Sequence, residues 1–197
     1  MRMLESFVRW WDIDLESKEK ERKFHERLAE LVSILFAVVF GVGLEEIGKI
    51  AGVTDGVTLG VAYIAVVLSW WGYHYGTIQG QSETNGLCYL LDVLIVVIYW
   101  LLINQRQSIV RVTSLYLVMF LLYVLWELVR VLQGRWRGAR RALRCNVSYC
   151  VPMVMFVVAA LIGKPNKLLV MASILVLLIA YRFRIHDIYK NSPMPEG

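Results

Sequence analysis

The charges of this chain crowd into three stretches, residues 1–30, 130–144 and 182–190, and the long tracts between them carry few. A bilayer imposes such segregation. Each helix that crosses hydrocarbon needs about 20 mostly apolar residues and must satisfy its backbone polar groups internally. Composition points the same way. Of 197 residues 58% are hydrophobic and 19% charged, with a mean hydropathy of +0.56, more than the core of a soluble domain requires.

Six tracts are long and apolar enough, at about residues 28–47, 57–75, 87–103, 112–129, 147–162 and 168–181. The last two are short, and Gly163, Lys164, Pro165, Asn166 and Lys167 between them read as a tight turn. The expected fold is all-α, one polytopic membrane domain over residues 28–182. It is flanked by an N-terminal segment, 1–27, and a tail, 183–197. Lys and Arg set the orientation. With the N-terminus inside, cytoplasmic segments hold seven, none, six and three of them, and the outer loops hold only Lys49, Arg106, Arg111, Lys164 and Lys167. Both termini are therefore expected in the cytoplasm. No A-x-A-like site follows the first tract, so a cleaved signal peptide is not expected.

Cys88, Cys145 and Cys150 fall toward the expected cytoplasmic side, where thiols stay reduced. Their spacing lacks the further ligands of a zinc site. Neither a metal nor a cofactor is expected. The Asn146-Val147-Ser148 sequon lies on the wrong side of the membrane for glycosylation.

Met3, Leu4, Phe7, Val8 and Trp11 share one face of a helix that suits the membrane interface, and Asp12-Ile13-Asp14 offers a turn after it. From Glu16 to Glu30 a mixed-charge helix is expected to run unbroken into the first span. Arg130, Arg135, Arg137, Arg140, Arg141 and Arg144, with Trp136 among them, form a basic run. Beside anionic lipid headgroups each such charge gains about 1 kcal/mol. Positive-inside topology accounts for the run, and nucleic acid is not an expected partner.

Asp92 lies several residues inside the third tract, where an ionisable group is costly and often functional. Because spans alternate in direction, Arg27, Tyr73, His74, Asp92, Glu127 and Arg130 fall at one depth near the cytoplasmic side. They read either as a structural polar network or as a proton- or ion-handling site. Glu127 and Arg130 are spaced to pair with each other. Glu45, Glu46 and Lys49 close the first tract on the outside, as a solvated cluster or as carboxylates at the mouth of an oligomeric pore. Ser33, Ala37 and Gly41 make a small-residue line suited to close helix packing. Trp70, Trp71, Tyr73 and Tyr75 suit an aromatic belt.

Two places, in the first and second tracts, carry a family resemblance. Arg27-Leu28 opens the first tract, Phe36-Ala37-Val38 stands where an F-A-I is common, and Trp71-Gly72-Tyr73-His74 looks like W-x-x-H. In these features the chain resembles the prokaryotic six-helix relatives of the lysosomal potassium channel. Those proteins carry R-x-x-x-F-S-D at the start of the first helix; here Leu31-Val32-Ser33 stands in place of F-S-D, so the aspartate is absent. The resemblance implies a tetrameric pore lined by first helices and braced by Arg, Ser, Asp and His. On that pattern Arg27 and His74 brace the helix ends, and Glu30 or Asp92 supplies the missing charge.

The leading functional expectation is thus an oligomeric cation-channel-like protein conducting a monovalent cation. Its apolar constriction would lie near Leu35, Val38, Val39 or Val42. The alternative is a non-conducting signalling or effector component, working through its N-terminal helix and basic loop. A transporter or membrane enzyme is the third class. No metalloprotease, nucleophile-elbow or Walker motif is present, and catalysis is not expected.

Overall fold

The computed structural model describes residues 18–78, 86–133, 138–163 and 165–191. All of its regular structure is helical: α1 (Lys18–Ile47), α2 (Val53–Ile78), α3 (Gly86–Asn104), α4 (Ile109–Gln133), α5 (Ala139–Ile162) and α6 (Lys167–Lys190). Each of the six is long and apolar enough to cross a bilayer. The chain is a multi-pass membrane protein. The expected N-terminal interfacial helix, together with Arg135, Trp136 and Arg137, lies outside the described residues.

Where a turn is expected, α5 ends at Ile162 and α6 begins at Lys167. Asn166 caps α6, its side-chain oxygen accepting from the backbone amides of Leu168 and Leu169 at 3.0 and 3.4 Å. Two expected boundaries move outward. Helix α5 begins at Ala139, so Arg140, Arg141 and Arg144 sit on its exposed first turns and not in a loop. Helix α6 runs through Lys190, which makes most of the expected tail helical. Hydropathy marks where lipid begins, whereas the helix ends where backbone hydrogen bonding stops. Arg and Ala are good helix formers on either side of that line.

The helices close a ring. α1 packs on α3, α3 on α4, α4 most extensively on α5, α5 on α6, α6 on α2, and α2 back on α1, while α2 also meets α3. Lipid is as apolar as leucine, so such a ring is held by close packing and polar contacts more than by a hydrophobic drive between helices. Aromatic rings fill much of the interior. Phe120 stacks on Tyr149 with centroids 6.0 Å apart and meets Tyr181 edge-on at 5.1 Å. Glycine allows one close approach. A Cβ on Gly43 would overlap the Tyr63 ring, whose hydroxyl donates to the Phe40 carbonyl at 2.9 Å.

At the end where α1 turns into α2, a buried guanidinium ties the ring together. Arg106, 5% exposed, donates from Nη1 to Glu46 of α1 at 2.6 Å and from Nε to Asp55 of α2 at 2.8 Å. It also donates to the Ile103 carbonyl at 3.0 Å. Lys167, at the start of α6, donates to the Arg106 carbonyl at 2.6 Å. Burial works against the Arg106 charge, but the Glu46 and Asp55 carboxylates more than offset it, and its pKa is raised. Glu46 takes a second cation, Lys49, at 2.6 Å, whereas Glu45 is largely exposed. The two carboxylates are therefore unequal. Glu46 is committed to an ion-pair cluster within the chain, whereas Glu45 is exposed and, among the described residues, accepts only from Lys49, at 3.4 Å.

Removing the guanidinium strands two carboxylates. Arg106→Ala is expected to cost about 2 kcal/mol in detergent unfolding. That is less than the ~3–5 kcal/mol of a fully buried pair, because Glu46 and Asp55 keep some solvent contact. Gly43→Ala is expected to cost about 1–3 kcal/mol by overpacking against Tyr63.

Candidate functional site

Toward the opposite half of the bundle the ring does not fill its centre. A cavity of about 120 Å³ remains, and all six helices contribute to its lining. α1 brings Val32 and Phe36, α2 brings Ser69, Gly72 and Tyr73, and α3 brings Asp92 and Tyr99. α4 brings Tyr123, Trp126 and Glu127, α5 brings Asn146, and α6 brings Tyr181, Arg182 and Tyr189. The walls are thus a mixture of aromatic and aliphatic side chains with a few polar groups among them, the usual make-up of a small-molecule site.

The polar groups form three sets. Ser69 and Tyr99 each share a hydrogen bond with the Tyr123 hydroxyl, at 2.8 and 3.0 Å, so one hydroxyl chain joins α2, α4 and α3. Asn146 donates to the Tyr123 carbonyl at 3.1 Å, leaving its own Oδ1 enclosed without a partner. The second set is Glu127, only 1% exposed. One of its oxygens accepts from the Tyr189 hydroxyl at 2.9 Å and lies 3.8 Å from Arg130, while Oε2 has no hydrogen-bond partner. The third set is Asp92 and Arg182, which are not paired with each other. Asp92 is half-buried as a residue; its Oδ2 is sealed and makes no close hydrogen bond, with the Trp126 side chain beside the carboxyl. Arg130 attracts it from beyond ion-pairing range. Arg182 lies over the Trp71 ring at 5.8 Å. Gly72 makes room for it, since a Cβ there would meet the guanidinium.

Buried polar groups in native folds are almost always satisfied, and a charge at bilayer depth costs several kcal/mol unless compensated. Incomplete pairing of two carboxyl groups beside one cavity therefore marks it as the candidate site.

The six groups expected at one depth divide. Asp92, Glu127, Arg130 and Tyr73 lie at or beside the cavity. His74 instead packs edge-on to Trp70 at 4.6 Å and lines a separate groove with Glu30, Ser33 and Tyr73. Arg27 is exposed. Ser33 uses its hydroxyl on its own helix, donating to the Ala29 carbonyl at 3.0 Å. Glu30, His74 and Ser33 thus share a groove between α1 and α2, and Asp92 is not among its lining.

The constriction candidates also divide. Val38 faces outward at 54% exposure, and Val39 is buried in the subunit core at 4%. Leu35 and Val42 are intermediate. Along α1 the outward stripe runs through Leu31, Ile34, Ala37, Val38, Gly41 and Leu44.

Arg182, Tyr189, Asn146, Tyr99 and Tyr123 join the site without a sequence motif that marks them. Tyr99 and Tyr123 do carry a signal, since their hydroxyls fall within apolar tracts and away from an aromatic belt. Asn146 stands out in sequence only as part of a sequon. No family model, curated protein or solved structure matches the chain.

The cavity separates two roles for Asp92. If its carboxyl serves a ligand and not the fold, Asp92→Asn is expected to melt in detergent within a degree or two of wild type or above it, because the amide replaces a buried ionisable group whose Oδ2 makes no close hydrogen bond. A drop comparable to that of Arg106→Ala would make Asp92 a structural brace.

Proposed function

We propose that this protein is a membrane transport protein that admits a small solute bearing a positive charge into the cavity of its six-helix bundle. The supporting observation is that Asp92 and Glu127, each with a buried carboxyl oxygen that makes no close hydrogen bond, line one partly open space to which all six helices contribute. A cation in that space would lie beside both carboxyl groups and favour their ionised form. The aromatic side chains of the walls would also favour the cation, since a ring face attracts positive charge. The volume bounds the solute. A cavity of about 150 Å³ accommodates benzene, so about 120 Å³ suits a monovalent ion with part of its hydration shell or an amine of a few heavy atoms.

Arg182 adds a cation to the same wall, and a solute with a carboxylate beside its ammonium would engage both. The distribution of Lys and Arg favours both termini in the cytoplasm. In that orientation the cavity lies in the cytoplasmic half and the Arg106 cluster closes the outer end. Transport then requires that the outer ion pairs loosen when the cavity is filled, as in alternating access.

A second reading is favoured by the outward face of α1. Val38 is exposed and Gly41 has open space around it. With Ala37 they form an apolar, small-residue stripe that another copy could meet. This is the oligomeric cation channel implied by the resemblance to the six-helix relatives of the lysosomal potassium channel, with Val38 at the constriction and Val39 excluded by its place in the core.

Proteoliposome uptake separates the two. The transport reading expects saturable uptake of at least one of potassium, ethylammonium or glycine, reduced at least tenfold by Asp92→Asn, with Val38→Asn near wild type. The channel reading expects a cation leak raised by Val38→Asn, through easier wetting of the constriction, in a protein that is oligomeric in detergent. Uptake of none of these solutes, in a stable monomer, would remove both.

A further inference from the structure

A groove of about 600 Å³ runs between α5 and α6, outside the central cavity. Three arginines line it: Arg141 and Arg144 from the first turns of α5, and Arg184 from the last turns of α6. All three are exposed, and among the described residues none forms an ion pair. Their convergence is visible in the groove floor, where Arg184 lies close enough to act on both Cys145 and Tyr149. No carboxylate contributes to the lining. Further along, the walls become apolar, through Pro152 and Leu177.

We infer that this groove is a binding site for the phosphate headgroup of an anionic phospholipid, with Arg144 and Arg184 as its principal ligands and one acyl chain lying along Pro152 and Leu177. Three features support this occupant over a soluble anion. The guanidiniums stand at the ends of membrane-crossing helices, at the depth of headgroups. Arg is the side chain best shaped for phosphate, offering two parallel donors. The apolar continuation of the groove gives an inorganic anion nothing to bind but suits a lipid tail.

The site is also more specific than a general attraction of basic residues to an anionic surface. That attraction does not depend on where a charge points. Arg140 is exposed on the same turn of α5 and does not line the groove. It is the internal control. The proposal is independent of what the central cavity carries.

The test uses the full chain in detergent, with thermal stability and lipid retention in native mass spectrometry as readouts. Added phosphatidylglycerol is expected to raise the melting temperature and remain bound, whereas phosphatidylcholine and inorganic phosphate do neither. Arg184→Gln and Arg144→Gln should each weaken phosphatidylglycerol binding about fivefold, at ~1 kcal/mol per lost charge. Arg140→Gln should change it less than twofold. All three replaced arginines are exposed, so their variants are expected to fold, and the lipid-free melting temperature checks this. Equal losses for Arg140→Gln and Arg184→Gln would overturn the site in favour of diffuse adsorption. Equal binding of phosphatidylcholine would overturn the charge recognition, and binding of inorganic phosphate alone would show a soluble-anion site instead.

Discussion

A single guanidinium that donates to Glu46 at 2.6 Å and Asp55 at 2.8 Å joins the end of α1 to the start of α2. Through the Arg106 carbonyl, which accepts from Lys167, the same residue holds α6 as well. In lipid the helices gain little by hiding apolar surface from one another, so directional contacts weigh heavily in choosing their arrangement. The cluster closes one end of the ring, and the structure's incompletely paired charges lie toward the other.

That asymmetry organises the chemistry. At the Arg106 end, acids and bases neutralise one another within 4 Å. Around the central cavity they do so only in part: Glu127 keeps one free oxygen, Asp92 Oδ2 has no hydrogen bond, and Arg182 rests on an aromatic ring. A bundle needing polar contacts only for its assembly would pair these groups as thoroughly as it pairs Arg106. The hydroxyl chain of Ser69, Tyr123 and Tyr99 shows that close polar pairing at this depth is attainable. The incomplete pairing is what a solute in the cavity, as proposed, would complete.

Arginine takes two different parts in this chain. Arg106 and Arg130 are buried and paired with carboxylates, whereas Arg140, Arg141, Arg144 and Arg184 are exposed at helix ends. A count of positive charge by loop treats them alike, because it registers the side of the membrane and not the surroundings of each side chain. Arg106 shows the difference most clearly, having been counted only as a loop charge.

The amino-acid sequence by itself determined that the chain has six tracts long and apolar enough to cross a bilayer. A span's length is set by hydrocarbon thickness, and alternation of direction then gives an expected depth for each polar residue. On that reasoning Arg27, Tyr73, His74, Asp92, Glu127 and Arg130 are expected together, and packing brings four of them to or beside the cavity. Direction around each helix axis was not legible in the sequence. A membrane helix is apolar toward lipid and toward its neighbours alike, so hydropathy does not distinguish Val38, which faces outward, from Val39, which enters the core. Only tertiary packing decided that Arg27 and His74 stand away from Asp92, that Arg182 from α6 joins the cavity, and that Arg106 finds its carboxylates on α1 and α2. Each of these depends on which helices become neighbours and on how each is turned.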